Sequence, residues 1–276
     1  MTPSSRSIWD LFSSPLKARP STPTAHGTTS CEAPRQRNCW AAVGSTCTEV
    51  PQLLESSGEQ TKSQVLSAFV LQQLSVAIPS RFAYADWRLL YSTAIHGISL
   101  KTFYKRAAHC GCCILAIKDE AGNVFGAFCT EWREPSTPTS FYGSGETFLF
   151  SVEKLENLPP LPAGDSLAPP DEAVHLHRWS GANSFFMFSH RDHLAIGSGG
   201  HFGLWLDAEL LHGSSGPSAT FNNRCLCRHP SLKNDGCADH PEVGEFRCEV
   251  LEVWGVEHSA ISRRNQEHLM RGLRPR

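Results

Sequence analysis

Five side chains able to bind a metal crowd into one short segment: Cys225, Cys227, His229, Cys237 and His240. Zinc takes four such ligands in a tetrahedron, and Cys237-Ala238-Asp239-His240 has a ligand-like spacing. Cys-x-Cys-x-His is an uncommon first half-site, so the expectation is an insertion with incidental Cys and His, no metal and no cofactor. A second group, Cys110, Cys112 and Cys113, invites thiol chemistry. A reactive thiol needs positive charge nearby, which His109, Lys105 or Arg106 would supply. Cys112 and Cys113 fall on a strand and so point to opposite faces; all three are expected to be buried structural thiols. Hydrolytic arrangements are weaker still. The chain has no Gly-x-Ser-x-Gly elbow. His201 and Asp207 are expected to approach across a hairpin, but no nucleophile is placed beside them. Cys129 has no base assigned to it among thirteen histidines. Glu146 is the carboxylate to watch, and its expected role is to tie the preceding turn, Gly143-Ser144-Gly145, through backbone hydrogen bonds. No residue is assigned to catalysis, cofactor or metal.

The elements that would position these groups centre on Arg178–Gly213, where apolar runs alternate with glycine. Ser184–Phe188, His193–Ile196 and Leu204–Asp207 read as three strands. Gly197, Gly199, Gly200 and Gly203 crowd the second connection and supply its turn geometry. A phosphate loop would be followed by a helix, whereas this one is followed by Leu204-Trp205-Leu206, so the stretch is an antiparallel meander. Phe148, Phe150, Trp179, Phe185, Phe186, Phe202, Trp205, Phe221 and Trp254 are expected to form the core between two sheets.

Upstream, Ser67 caps a helix with Phe69, Val70, Leu74 and Ile78 at helical spacing, ended by Pro79. Trp87–Tyr91 is a strand. Ser99 caps a second helix whose Leu100, Phe103, Tyr104 and Ala107 form one face, with Lys101, Lys105 and Arg106 opposite. Cys112–Ile117 and Val124–Thr130 form a hairpin, and the continuous apolarity of the first strand requires cover on both faces. Glu146–Val152, Val174–Trp179 and Cys248–Val256 complete the strands. In Val174–Trp179, Val174, Leu176 and Arg178 share one face, and His175, His177 and Trp179 the other.

The formal net charge of -2 gives no basic field for nucleic acid, and no apolar run reaches the roughly 20 residues of a membrane span. Eleven cysteines, an odd and scattered set, argue against a secreted disulfide framework. No signal peptide or N-glycosylation sequon is present. The expected location is therefore intracellular, cytoplasmic or nuclear. The island Ile8-Trp9-Asp10-Leu11-Phe12 leaves mitochondrial targeting as a minor reading. Residues 1–60 read as a disordered Ser/Thr/Pro-rich tail, 61–257 as the folded domain, and 258–276 as a basic tail.

Several segments together resemble the TLDc domain of the oxidation-resistance family. They are Phe141-Tyr142-Gly143-Ser144-Gly145-Glu146-Thr147-Phe148-Leu149-Phe150, Trp179-Ser180-Gly181-Ala182-Asn183-Ser184-Phe185-Phe186 and Phe202-Gly203-Leu204-Trp205-Leu206-Asp207. Thr220-Phe221-Asn222-Asn223 and Leu251-Glu252-Val253-Trp254 follow in the family's order. The resemblance runs from about Ser67 to Glu257 and is departed from at 157–173 and 225–247, which read as insertions. It implies an α+β fold with two antiparallel sheets packed as a β-sandwich and flanked by short helices. Its signature positions here are Gly143, Gly145, Glu146, Trp179, Gly181, Asn183, Phe185, Phe186, Gly203, Trp205, Asp207, Asn222 and Trp254, expected to be mostly structural. It also implies a non-enzymatic protein of the oxidative-stress response that binds the head of the vacuolar-type proton-pumping ATPase. The alternative is an enzyme using thiol or hydrolytic chemistry.

Overall fold

The computed structural model describes residues 50–82, 85–108, 110–136, 139–155, 171–227 and 243–257. Most of the two expected insertions and both expected tails lie outside the described residues.

The first strand, β1 (Leu53–Leu54), is followed by helix α1 (Ala68–Ala77) and strand β2 (Asp86–Ser92). Ser67 caps α1 by accepting from Val70 N–H at 3.2 Å. Ile78 then turns extended, as a residue before proline must. Two helices come next, α2 (Thr93–His96) and α3 (Leu100–Ala107). Ser99 caps α3, and Leu100, Phe103, Tyr104 and Ala107 are its buried face. The four-residue α2 went unread because one turn leaves no periodic signal.

Nine strands complete the order: β3 (Cys113–Asp119), β4 (Val124–Cys129), β5 (Phe148–Lys154), β6 (Glu172–His177), β7 (Met187–Ser189), β8 (His193–Ile196), β9 (Leu204–Asp207), β10 (His212–Ser215) and β11 (Gly244–Glu257). One sheet runs β6-β5-β4-β3-β11-β2-β1, and the other β11-β10-β9-β8-β7. All pairings are antiparallel except β1 with β2. The long β11 joins the layers. Its start pairs β10 through Arg247, and after an irregularity between Cys248 and Val250 it continues between β3 and β2.

Leu115, Ile117, Phe125 and Ala127 of the first sheet and Leu194, Ile196, Leu204 and Leu206 of the second bury into one interlayer core, sealed by Phe103 and Trp132. The opposite face of the first sheet carries Ile114, Ala116, Phe128, Phe148, Phe150 and Trp254 beneath Val70, Leu74 and Ala77 of α1. The first sheet is thus covered on both sides, which accounts for the unbroken apolar run in β3. Each fully buried Leu, Ile or Phe among these contributes roughly 1.5–3 kcal/mol of transfer free energy. Phe148, Phe150 and Trp254 lie on this outer face and not between the sheets as expected, because alternation along a strand assigns a parity but not a layer.

Among the described residues two acids are buried: Asp119, which accepts from Asn123, and Glu252. Glu252 on β11 is 2% exposed. Its carboxylate accepts from Ser63 Oγ, from Gln64 N–H at 2.8 Å and from Trp254 Nε1–H at 2.9 Å. These bonds tie the chain before α1 onto the sheet. Among the described residues no helix is long and apolar enough to cross a membrane.

Candidate functional site

Four loops meet at one end of the second sheet: 141–146, 178–186, 197–203 and 217–224. Isolated bridges join Tyr142 to Met187 and Gly200 to Ser218. Thr220, fully buried, is the hub. Its hydroxyl donates to Asn183 Oδ1 at 2.7 Å and accepts from Ser198 N–H at 3.0 Å. Asn183 Oδ1 also accepts from Phe185 N–H at 3.0 Å. Ser180 donates its N–H to the Thr220 carbonyl and its hydroxyl to that of Ala219. Asn223, 3% exposed, donates to the carbonyls of Gly216 and Arg224 and accepts from the hydroxyl of Ser218. A loop so bonded holds its shape without secondary structure.

The frame displays aromatic surface. Trp179 and Phe185 are 44% and 43% exposed. The Trp179 indole donates Nε1–H to the Asn183 carbonyl at 2.7 Å. Its ring lies over Gly145, where a Cβ would fall 2.5 Å from Trp179 Cε3, so only glycine leaves room for it. Phe185 packs against Phe141 with ring centroids 4.8 Å apart. Behind them Trp179 meets Phe186, and Phe186 meets Phe221. Trp179 and Phe185 were expected in the core. Their hydrophobicity is instead placed at the surface by loops that turn before reaching β7, and the expected strand from Ser184 forms only over Met187–Ser189. Phe202 and Trp205 are likewise only partly buried.

Most signature positions gather here. Gly143, with a left-handed φ of +103°, backs onto Phe186, and Gly203 backs onto Leu149. Gly181 and Asn222 turn the outer edges of their loops. Trp205, Asp207 and Trp254 do not join the cluster. Trp205 sits mid-strand near His193, and Trp254 lies on the outer face of the first sheet.

Two expected pairings take other forms. The Glu146 carboxylate does not tie the glycine turn; it receives the guanidinium fork of Arg81, which holds its carboxyl below the ordinary carboxylate value. The chemistry this offers is weak, since both side chains are about half exposed. Asp207 does not meet His201. It pairs in register with His193 at the far end of the β8–β9 hairpin. Its carboxylate accepts from Leu211 N–H, His212 N–H and His212 Nδ1, the last at 3.0 Å. His175 pairs with Glu153, and the His96 ring accepts from Ser92 N–H. None of these three imidazoles engages a Ser or Cys nucleophile.

Cys112 and Cys113 divide by face as expected, but Cys110 and Cys112 are only half-buried, against the expectation that all three thiols are buried. Cys113 enters the interlayer core and Cys112 packs against the outer cluster. Burial raises the Cys112 thiol above its ordinary pKa and outweighs the lowering by Arg81. No Cys-x-x-Cys was expected, yet Cys110-Gly111-Cys112-Cys113 has that spacing. Redox motifs of that spacing use a helix N-terminus, whereas Cys110 follows the C-terminal end of α3, where the dipole has the opposite sign. His229, Cys237 and His240 of the zinc reading lie outside the described residues; among the described residues no group of three or more His, Cys, Asp or Glu could hold a metal.

The profile of the TLDc domain matches residues 59–257. The chain belongs to the TLDc family. Nuclear receptor coactivator 7 of Mus musculus is 37% identical over 200 residues, covering 72% of this chain and 18% of the relative. Oxidation resistance protein 1 of Kluyveromyces lactis is 33% identical over 214 residues, covering 72% of this chain and 78% of the relative. Oxidation resistance protein 1 of Homo sapiens is 35% identical over 197 residues, covering 71% of this chain and 19% of the relative. This TLDc chain thus spans about a fifth of the animal relatives and most of the yeast one.

Proposed function

We propose that this TLDc chain is a non-enzymatic protein-binding domain of the oxidative-stress response, acting inside the cell by binding and modulating the head of the vacuolar-type proton-pumping ATPase. The observation that carries the reading is the pair Trp179 and Phe185, exposed yet held by a hydrogen-bond frame centred on the buried Thr220. Aromatic anchors of this kind, ordered before binding, lose little conformational freedom on association. The oxidation-resistance name of relatives supports the stress-response role, and the family resemblance supports the choice of partner. A binding surface also fits a site whose polar groups are satisfied among themselves, since an active site leaves groups aimed at a substrate. The test is capture of the soluble ATPase head by the full chain, followed by ATP hydrolysis with and without it. Specific binding with altered hydrolysis supports the reading; no binding under conditions where another TLDc domain binds overturns it.

A further inference from the structure

The sulfurs of Cys225 and Cys227 lie 3.4 Å apart. Both are reduced. They occupy a turn that is fixed from both sides. Between them, Leu226 donates its N–H to Ser215 Oγ at 2.9 Å and buries its side chain in the interlayer core. The Cys227 carbonyl accepts from Asn123 Nδ2 at 3.0 Å, and the Arg224 carbonyl from Asn223 Nδ2 at 2.8 Å. With Leu226 pointing inward, the backbone turns both sulfurs to the same side. The two differ in access: Cys225 is half-buried and Cys227 is 7% exposed. A second thiol pair, Cys113 opposite Cys129 across β3 and β4, has both members fully buried and offers no such access.

We propose that Cys225 and Cys227 form a dithiol site for hydroperoxides that closes to an intramolecular disulfide. The Cys225 sulfur, as thiolate, attacks the terminal oxygen of a hydroperoxide. The O–O bond breaks, leaving a sulfenic acid on Cys225, and the departing alkoxide takes up the thiol's proton as the alcohol (water, for hydrogen peroxide). The Cys227 sulfur then attacks the Cys225 sulfur. An S–S bond forms, the S–O bond breaks, and hydroxide leaves as water with the proton of Cys227. Two thiols and one hydroperoxide give one disulfide, one alcohol and one water; the sulfurs lose two electrons and the peroxide oxygens gain them.

Geometry assigns the roles. Cys225 is the member an oxidant reaches. Cys227 is the buried member, in sulfur–sulfur contact with Cys225, which places it to attack the oxidised Cys225 sulfur. A disulfide needs only the two sulfurs, drawn in to about 2.05 Å. Closure tightens the turn directly after Asn223, which holds Ser218 and Gly216 in the loop frame.

The inference does not depend on the ATPase, and one peptide tests it. Trypsin cuts after Arg224 and Arg228 and releases Cys225-Leu226-Cys227-Arg228. The full chain is exposed to a small excess of hydrogen peroxide, denatured in N-ethylmaleimide and digested. The expected result is a tetrapeptide two hydrogens lighter than the dithiol and without maleimide, appearing several-fold faster than Cys113 and Cys129 lose their labelling. In Cys227→Ser, dimedone traps a sulfenic acid at Cys225. A tetrapeptide still labelled at both sulfurs while other thiols oxidise overturns the proposal. So does a mixed disulfide to another peptide, or dimedone capture at Cys227 in Cys225→Ser as fast as at Cys225 in Cys227→Ser.

Discussion

Replacing Thr220 by Val removes one buried oxygen with almost no change in volume, so packing is left alone and the hydrogen bonds are tested. The hydroxyl has a single proton, given to Asn183 Oδ1 at 2.7 Å, with the carbonyls of Ser198 and Phe185 at 3.0 and 3.3 Å as alternatives. It also accepts from Ser198 N–H. In Thr220→Val, Asn183 Oδ1 keeps Phe185 N–H, but Ser198 N–H loses its acceptor. Losing one net hydrogen bond costs about 1 kcal/mol and stranding a partly buried donor about 1–2 more, so the loss is about 2–3 kcal/mol. With a urea m-value of about 2 kcal/mol/M, the unfolding midpoint falls by about 1 M at unchanged m. Thr220→Ser retains the oxygen and recovers most of the loss. Amide exchange at Ser198 accelerates in the Val variant only. A Val variant within about 0.5 kcal/mol of wild type, or a Ser variant as weak as the Val variant, refutes the hub assignment.

Other outcomes follow from the same physics. Glu252→Ala strands the Ser63 hydroxyl, Gln64 N–H and Trp254 Nε1–H, and thermal and urea unfolding should show a loss of about 3–5 kcal/mol; a loss under about 1 kcal/mol contradicts that account. Burial lowers His177 and His193 from the ordinary 6.5 to about 4. The unfolded chain therefore takes up protons first as pH falls. Stability is constant with respect to these groups above about 6.5 and declines from there toward 4, as midpoints at pH 7, 5.5 and 4.5 will show, and His177→Gln with His193→Gln flattens the decline.

Much of the fold was legible because periodicity and capping are local. Ser67 and Ser99 announced their helices, the β8 and β9 boundaries followed from glycine punctuation, and the unbroken apolarity of β3 required two covered faces. What was not legible depends on which layer or loop a residue meets. Phe148 and Trp254 read as core but belong to the outer face. Trp179 and Phe185 read as core because hydrophobic aromatics usually are, while the glycine that lets Trp179 lie flat is more than thirty residues upstream at Gly145. Glu146 finds Arg81, sixty-five residues away, instead of its own turn. The hub role of Thr220 has no sequence signal beyond its place ahead of Phe221-Asn222-Asn223.

The central claim is that the loop frame presents Trp179 and Phe185 to a protein partner. It is tested most directly by comparing wild type with Trp179→Ala/Phe185→Ala for capture of the ATPase head and for the effect on ATP hydrolysis. Both rings are partly exposed, so the double variant should remain folded, with an unfolding midpoint lowered by the loss of their packed faces, and lose at least about tenfold in affinity, or about 1.4 kcal/mol. A folded double variant that binds and modulates as wild type does would contradict the account.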